Sequence, residues 1–190
     1  MKQMEEKILR EGQVLPGDIL KVGSFLNQNI DTVFLGEMAR EFARLFADEG
    51  INKVLTIEAS GIAIATAVGL EMGVPVLFAK KHRTSNVDGG VYTAKVHSFT
   101  HNEDYNVVVS SDYLLPTDRV LLVDDFLANG QALNGLMDLC RQAGAEVAGV
   151  AIAIEKCFSG AGDKLRAQGV HLESLAMIES MTDDEVIFRS

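Results

Sequence analysis

Short, almost purely apolar segments that alternate with helix-forming segments constrain the fold of this chain more than any other feature. Four of them have the length and composition of buried strands, at residues 54–57, 74–78, 120–123 and 147–154. Strands with apolar side chains on both faces are typical of parallel sheets covered by helices on both sides. The sequence therefore predicts an α/β fold with a parallel sheet flanked by helices.

The segments between these strands have helical patterns. An apolar stripe from Phe34 to Phe46 recurs at helical spacing, and Asp31 is a plausible N-cap for it. Residues 62–72 and 131–143 predict two further helices, each followed by a glycine that can end it. On this pattern the first helix begins only after about thirty residues.

The alternation is interrupted by a polar segment. Residues 81–90 are largely polar, and residues 91–99 and 105–111 have the pattern of two extended arms of a hairpin. A long polar excursion inside a compact domain is commonly functional. We therefore expect a flexible lid at about residues 81–111.

Composition excludes several classes of function. The 190 residues fit a single domain, and 17 basic against 27 acidic residues give a net charge of −10. This balance argues against nucleic-acid binding, which depends on Lys and Arg neutralising phosphates. The sequence has no apolar run of membrane-spanning length and no signal peptide, so we expect no membrane partner and a cytoplasmic location. Cys140 and Cys157 are expected to be free thiols, and no metal site formed by the protein alone is predicted.

The most informative stretch is Val-Leu-Leu-Val-Asp-Asp-Phe-Leu-Ala-Asn-Gly-Gln-Ala, at residues 120–132. An apolar strand leads into Asp124 and Asp125, a loop of small residues follows, and a helix then begins. Open α/β sheets bind ligands at the carboxyl ends of their strands, and the N–H groups at a helix N-terminus favour phosphate. The two acids are suited to accept hydrogen bonds from a sugar diol. Alternatively, they only end the strand and cap the helix.

This stretch resembles the phosphoribosyl pyrophosphate (PRPP) motif of type I phosphoribosyltransferases. The resemblance implies that Asp124 and Asp125 hold the ribose hydroxyls and are the catalytic residues. It also implies a 5′-phosphate loop formed by Ala128, Asn129, Gly130, Gln131 and Ala132. The family commonly has threonines in this loop, where Asn129 and Ala132 stand here, so phosphate binding is expected to depend more on backbone amides.

Two other segments extend the resemblance. Residues 53–61 are similar to the family's first strand and pyrophosphate loop, whose loop residues here are Glu58, Ala59, Ser60 and Gly61. The polar segment is similar to the family's lid, so Lys80, Lys81 and Arg83 are expected to meet pyrophosphate charge. Without the resemblance, the same three residues form a solvated basic run.

Residues 20–27 and 154–156, together with the motif itself, are similar to the members of this family that use xanthine. The resemblance implies a base pocket formed by Leu20, Asn27 and Lys156. Xanthine has carbonyl oxygens at C2 and C6, and Lys156 and Asn27 offer N–H donors, with Leu20 as an apolar wall. Taken alone, the sequence favours a turn residue at Asn27 and an exposed lysine after a strand at Lys156.

The resemblance implies one domain of the type I phosphoribosyltransferase fold, with a small hood formed by residues 1–30 and 156–190. It implies transfer of phosphoribose from PRPP to xanthine, with Mg²⁺ accompanying PRPP and a homodimeric assembly. The alternatives are an enzyme for guanine or hypoxanthine and, less consistent with the acidic charge, a purine-sensing regulator on the same fold. Such regulators usually carry an added DNA-binding domain or a basic face, and we expect the roughly thirty residues before the first predicted helix to be too few for a winged helix.

Overall fold

A sheet with helices on both faces forms the centre of the protein, as described by a computed structural model for residues 1–82, 90–98, 103–182 and 185–189. The helices in these ranges are α1 (Lys2–Glu11), α2 (Thr32–Leu45), α3 (Gly61–Met72), α4 (Gln131–Ala143) and α5 (Ala161–Ala167). The strands are β1 (Gln13–Leu15), β2 (Ile19–Lys21), β3 (Lys53–Ile57), β4 (Val76–His82), β5 (Val91–Ser98), β6 (Glu103–Ser110), β7 (Arg119–Leu127), β8 (Glu146–Lys156), β9 (Leu172–Met181) and β10 (Val186–Phe188).

The strand order of the main sheet is β10-β9-β8-β7-β3-β4-β6-β5. The central strands β9, β8, β7, β3 and β4 are parallel to their neighbours in this series, while β10, β6 and β5 pair antiparallel. The predicted parallel α/β sheet is confirmed. The small strands β1 and β2 form a separate antiparallel pair.

Two apolar clusters cover the two faces of this sheet. On one face, Phe42 of α2 and Ile64 of α3 pack with strand residues such as Leu121. On the other face, Leu136 of α4 packs with strand residues such as Leu122. Adjacent residues of β7 thus enter different clusters, because successive side chains of a strand point to opposite faces. This double burial explains why the central strands have apolar residues at nearly every position.

The predicted hairpin is confirmed as β5 and β6, which pair antiparallel from Val91↔Ser110 to Ser98↔Glu103. It extends the main sheet, because β6 also pairs with β4. Its inward side chains are buried in the cluster formed with α4: Ala94, Val96, Val107 and Val109. Lifting these arms would expose this apolar surface to water, and the lid stays a prediction. Residues 83–89 and 99–102 of the expected lid lie outside the described residues.

The prediction that no helix precedes α2 is wrong. Helix α1 has charged residues at most positions, but Met4 and Ile8 are one helical turn apart, a short amphipathic signal that sequence reasoning missed. It is stabilised by tertiary packing, because Met4 and Ile8 are buried in one cluster with Leu175 and Ile178 of β9. The N-terminal amine also donates to the Leu175 carbonyl. The amino-terminal and carboxyl-terminal segments thus contact each other, while their division into a hood stays a prediction.

No helix in the described ranges has both the length and the apolar character needed to cross a membrane.

Candidate active site

The two candidate ligand loops lie side by side at one edge of the sheet. Strands β3 and β7 are parallel neighbours, with Lys53 opposite Val120 and Leu55 opposite Leu122. From β3 the chain continues to β4 on one side, whereas β7 and β8 lie on the other side. Ligands of open α/β sheets bind at such a reversal of strand order, at the carboxyl ends of the strands. The loops after β3 and β7 both lie at this edge.

The paired acids lie inside β7 rather than after it. The strand extends to Leu127, so the prediction that it ends at Val123 is wrong, and both acids are part of the sheet. Asp124 is 5% exposed and Asp125 is 8% exposed. The Asp124 carboxylate accepts a hydrogen bond of 3.0 Å from the Asp125 backbone N–H. Burial, followed by the neighbouring charge of Asp125, raises the pKa of Asp124 well above its usual value.

The loop after β3 is pressed against Asp124. A Cβ atom on Gly61 would lie 2.1 Å from Thr56 Oγ1 and 3.3 Å from Asp124 Oδ1, so only glycine fits without movement. The peptide bond between Glu58 and Ala59 is cis. The Glu58 carboxylate accepts a hydrogen bond of 2.6 Å from the backbone N–H of Lys81. Residues 58–61, here called the pyrophosphate loop after the resemblance, are therefore bonded to β4 through Glu58 and lie close to Asp124 of β7 through Gly61.

Of the three predicted basic residues, the structure brings Lys81 to the acids. Its Nζ atom lies 5.2 Å from the centre of the Tyr105 ring, and its charge lowers the pKa of Asp124 by a smaller amount than burial raises it. Lys80 instead lines a groove formed by β4, β5 and β6, together with Phe78, because successive side chains of β4 face opposite ways. Arg83 lies outside the described residues.

Tyr105 is a residue near the site that sequence reasoning missed. Burial, and then the charge of Asp124, raise the pKa of its hydroxyl. The residue was assigned only to a hairpin arm, because its distance from Asp124 in sequence hides their proximity in the sheet. The only sequence signal was an aromatic residue in a polar segment, which by itself has no functional meaning.

The loop after β7, here called the phosphate loop, comprises residues 128–132. Helix α4 begins at Gln131, as predicted, and its N-cap Gly130 has a φ of 77°, in the left-handed region that favours glycine. The N–H groups of the first turn, which includes Ala132, have no partner within the helix. The backbone N–H of Gln131 donates at 3.4 Å to Asn129 Oδ1. Together with the positive end of the helix dipole, these groups form an anion-binding end.

Lys156 lies at the end of β8, two strands from the pyrophosphate loop. Its Nζ atom donates a hydrogen bond of 2.6 Å to the carbonyl of Asp18, in the turn between β1 and β2. It also lies 5.7 Å from the centre of the Phe126 ring, next to Asp125 in sequence. Burial lowers the pKa of Lys156. The structure thus brings Lys156 close to β7, and it adds Phe126, which sequence reasoning did not single out.

The other two predicted base residues lie in the amino-terminal segment. Leu20 belongs to β2, two residues after the Asp18 carbonyl that Lys156 contacts, and its side chain is buried in the cluster of α1 and α2. Asn27 ends a π-helical turn, Gly23–Asn27, and is exposed. Within the described ranges, no hydrogen bond uses the Asn27 side chain. The structure therefore joins the Leu20 strand to Lys156 but shows no contact between Lys156 and Asn27.

The chemistry of the two acids suits a magnesium ion that is bound mainly by a substrate. The described residues contain no group of three or more His, Cys, Asp or Glu side chains able to hold a metal. Magnesium is often bound by one or two carboxylates together with the phosphates of a substrate. The Asp124 and Asp125 carboxylates fit that arrangement.

Comparison with known proteins was consistent with this geometry. The Phosphoribosyl transferase domain family matches residues 32–169, more than half of the chain. The chain is 53% identical over 188 residues to xanthine phosphoribosyltransferase from Finegoldia magna, covering 99% of each protein. It is 49% identical over 189 residues to xanthine phosphoribosyltransferase from Limosilactobacillus fermentum, covering 100% of this chain and 97% of the relative.

Solved structures agree in fold. Adenine phosphoribosyltransferase from Rhodothermus marinus is 19% identical with a TM-score of 0.73, over 94% of this chain and 100% of that one. The enzyme from Giardia lamblia, solved with 9-deazaadenine, is 24% identical with a TM-score of 0.69, over 80% of this chain and 82% of that one. At these identities the likeness shows the fold alone. The family match and the relatives of about half identity lead to one conclusion: this chain belongs to the phosphoribosyltransferase family.

Proposed function

We propose that this chain transfers the phosphoribosyl group of PRPP to xanthine, giving xanthosine 5′-monophosphate and pyrophosphate. The observation that carries the proposal is the placement, at the carboxyl ends of neighbouring strands, of an anion-binding loop, two buried carboxylates and a half-buried lysine donor. Relatives that are 53% and 49% identical over nearly the whole chain are named for this activity.

The phosphate half of the proposed site comprises the pyrophosphate loop, Asp124, Asp125 and the phosphate loop. Backbone N–H groups at the start of α4, directly after the left-handed Gly130, bind the 5′-phosphate, since they have no partner within the helix. Asp124 and Asp125 accept hydrogen bonds from the ribose hydroxyls, and Asp124 also fixes the Asp125 backbone. Pyrophosphate binding is assigned to residues 58–61 and Lys81, and the hydrogen bond from the Lys81 backbone to Glu58 and the closeness of Gly61 to Asp124 support this assignment.

The base half comprises Leu20, Asn27 and Lys156. Lys156 has three N–H donors and no acceptor, so it suits the C6 oxygen of xanthine, and the exposed amide of Asn27 suits the C2 oxygen. Only one donor of Lys156 is used by the Asp18 carbonyl. Leu20 forms the apolar wall of the pocket, and it belongs to β2, which directly follows the turn that Lys156 contacts.

The reaction replaces the bond between the anomeric carbon and pyrophosphate by a bond to a ring nitrogen of xanthine, which loses its proton. Because pyrophosphate is a good leaving group, the chain's contribution is to position the two substrates and to exclude water, which would hydrolyse PRPP. The ribose contacts of Asp124 and Asp125 hold the anomeric carbon in place. When bound with PRPP, Mg²⁺ would supply positive charge that stabilises the departing pyrophosphate.

The location and assembly of the protein are also proposals. A cytoplasmic location is supported by two free thiols, Cys140 and Cys157, whose burial raises their pKa values to about 12 and about 11 and makes them unreactive. A homodimer is supported by the apolar groove formed by β4, β5 and β6, where Phe78 is 38% and Tyr113 is 64% exposed. The molar mass in solution, measured by sedimentation, tests the dimer.

Product identification tests the proposed activity. The purified protein is incubated with xanthine, PRPP and Mg²⁺, and the products are separated and identified by mass. We expect xanthosine 5′-monophosphate and pyrophosphate in equal amounts, and omission of PRPP should abolish both. Release of pyrophosphate without a nucleotide product would show PRPP hydrolysis and would contradict transfer.

A further inference from the structure

Glu155 has a fully buried carboxylate and directly precedes Lys156 on β8. Arg166 of α5 donates to both of its oxygens, at 2.9 and 2.6 Å, and Ser174 Oγ of β9 donates at 2.5 Å. Burial alone would raise the pKa of this carboxyl, but the hydrogen bonds from Arg166 and Ser174 hold it below its usual value. The group is therefore an ionised carboxylate inside the protein, matched by directional donors.

Helix α5 is seated directly on this carboxylate. A Cβ atom on Gly162 would lie 1.9 Å from Glu155 Oε1, so any larger residue at position 162 would collide with the carboxylate. Arg166 also donates at 3.2 Å to the carbonyl of Leu172, the first residue of β9. The cluster thus fixes the carboxyl end of β8 to α5 on one side and to β9 on the other.

This end of β8 lies between the two halves of the proposed site. The backbone of Glu155 pairs with Leu127, the residue before the phosphate loop. Lys156 reaches away from the cluster to the Asp18 carbonyl. The Ser159 hydroxyl lies 2.8 Å from the Lys156 carbonyl and also contacts the Ala128 carbonyl, so the turn after β8 touches the phosphate loop. A shift of this strand end would therefore move Lys156.

Stability alone does not account for a buried ion pair of this kind. An apolar pair of similar volume is often as stabilising, because removing charges from water opposes their attraction. Bidentate bonds from an arginine do fix orientation, which an apolar contact does not. We infer that Glu155 is a positioning residue, which holds Lys156 at the distance and angle needed to bind the purine base. This inference rests on the proposed function of Lys156.

A comparison of two conservative variants tests it. Glu155→Gln keeps the side-chain volume but weakens the bonds from Arg166. The matched control is Asp118→Asn in a second buried ion pair, between Lys53 and Asp118 at 2.5 Å. This pair lies at the amino ends of β3 and β7, the edge of the sheet opposite the site. We expect Glu155→Gln to raise KM for xanthine about tenfold, with KM for PRPP within about twofold of the wild type.

The control should lower the melting temperature by a similar amount and leave KM for xanthine unchanged. Equal values of KM for xanthine in Glu155→Gln and Asp118→Asn would overturn the inference. If Glu155→Gln does not fold, Ser174→Ala removes one bond to the same carboxylate and should raise KM for xanthine about threefold. An unchanged value in that variant would also overturn it. A wild-type protein that does not convert xanthine would instead refute the proposed function, before either variant is compared.

Discussion

The phosphate half and the base half of the site are built in different ways. The phosphate half comes from loops that directly follow β3 and β7, two neighbouring central strands, and its acids are buried within the sheet. The base half combines the end of β8 with the amino-terminal segment, and Asn27 is exposed there. The first is therefore fixed by the sheet itself, whereas the second depends on contacts between distant segments. Changes in the two halves should affect different kinetic constants.

The largest effect is expected in the phosphate half. The double variant Asp124→Asn, Asp125→Asn should reduce kcat/KM for PRPP roughly a thousandfold, because each hydrogen bond to a charged group contributes about 2 kcal/mol. Steady-state kinetics at saturating xanthine measures this loss. Near-normal kinetics in the folded double variant would mean that the acids are only structural.

The melting temperature shows whether a loss of activity comes from lost ribose contacts or from unfolding of the variant. Because the pKa of Asp124 is raised by burial, the folded chain binds more protons there than the unfolded chain. That contribution to stability is present below the unfolded pKa and is lost as the pH rises through the folded pKa. Asp124→Asn alone should therefore melt at the same or a higher temperature than the wild type at pH 8. A large fall in melting temperature would show that the carboxylate stabilises the fold.

The next largest effect is expected at Lys156 in the base half. Lys156→Met should reduce kcat/KM for xanthine, hypoxanthine and guanine together by roughly thirty- to a hundredfold, since all three have the C6 oxygen. Measurement of kcat/KM for each base, with KM for PRPP as the internal control, tests this. Loss for xanthine alone would place Lys156 at a different oxygen.

Asn27 should affect the choice between bases rather than the overall rate. Asn27→Ala should lower the ratio of kcat/KM for xanthine over hypoxanthine by about tenfold, because the variant loses a hydrogen bond to the C2 oxygen, which xanthine has and hypoxanthine lacks. Guanine is the harder base to exclude, since a flipped Asn27 amide offers its oxygen to the C2 amino group. An unchanged ratio in a stably folded variant would contradict this assignment.

The smallest effect is expected from alanine substitutions at the glycines that flank the two ends of α4. Gly130 and Gly144 both have left-handed backbones, with φ of 77° and 72°. Alanine at either position should destabilise the protein by about 1–2 kcal/mol, because a Cβ atom is strained in that region. Gly130→Ala should also raise KM for PRPP several-fold, as the phosphate loop would shift, whereas Gly144→Ala should not. Denaturant unfolding and PRPP kinetics on both variants test the difference, and equal KM values would contradict it.

The difference between the phosphate half and the base half also explains how much the sequence could predict. The start of α4 at Gln131 and the site edge followed from local pattern, because strand, acids, small-residue loop and helix are contiguous. The hairpin was also predicted, but its packing on α4 was not, since burial of Val96 and Val107 depends on a partner distant in sequence. Helix α1 was missed because it has few apolar residues, and the burial of Met4 and Ile8 depends on segments distant in sequence, such as β9. Tyr105 and Phe126 were missed because their closeness to Lys81 and Lys156 arises only in the folded sheet.

The most direct test of the central claim is the selectivity of the wild-type enzyme. The value of kcat/KM is measured at saturating PRPP and Mg²⁺ for xanthine, guanine, hypoxanthine and adenine. A base half lined by donors predicts that xanthine is used best, hypoxanthine about ten- to a hundredfold less well, and adenine least, because its 6-amino group meets the Lys156 donor. A preference for adenine, or equal use of all four bases, would contradict the account.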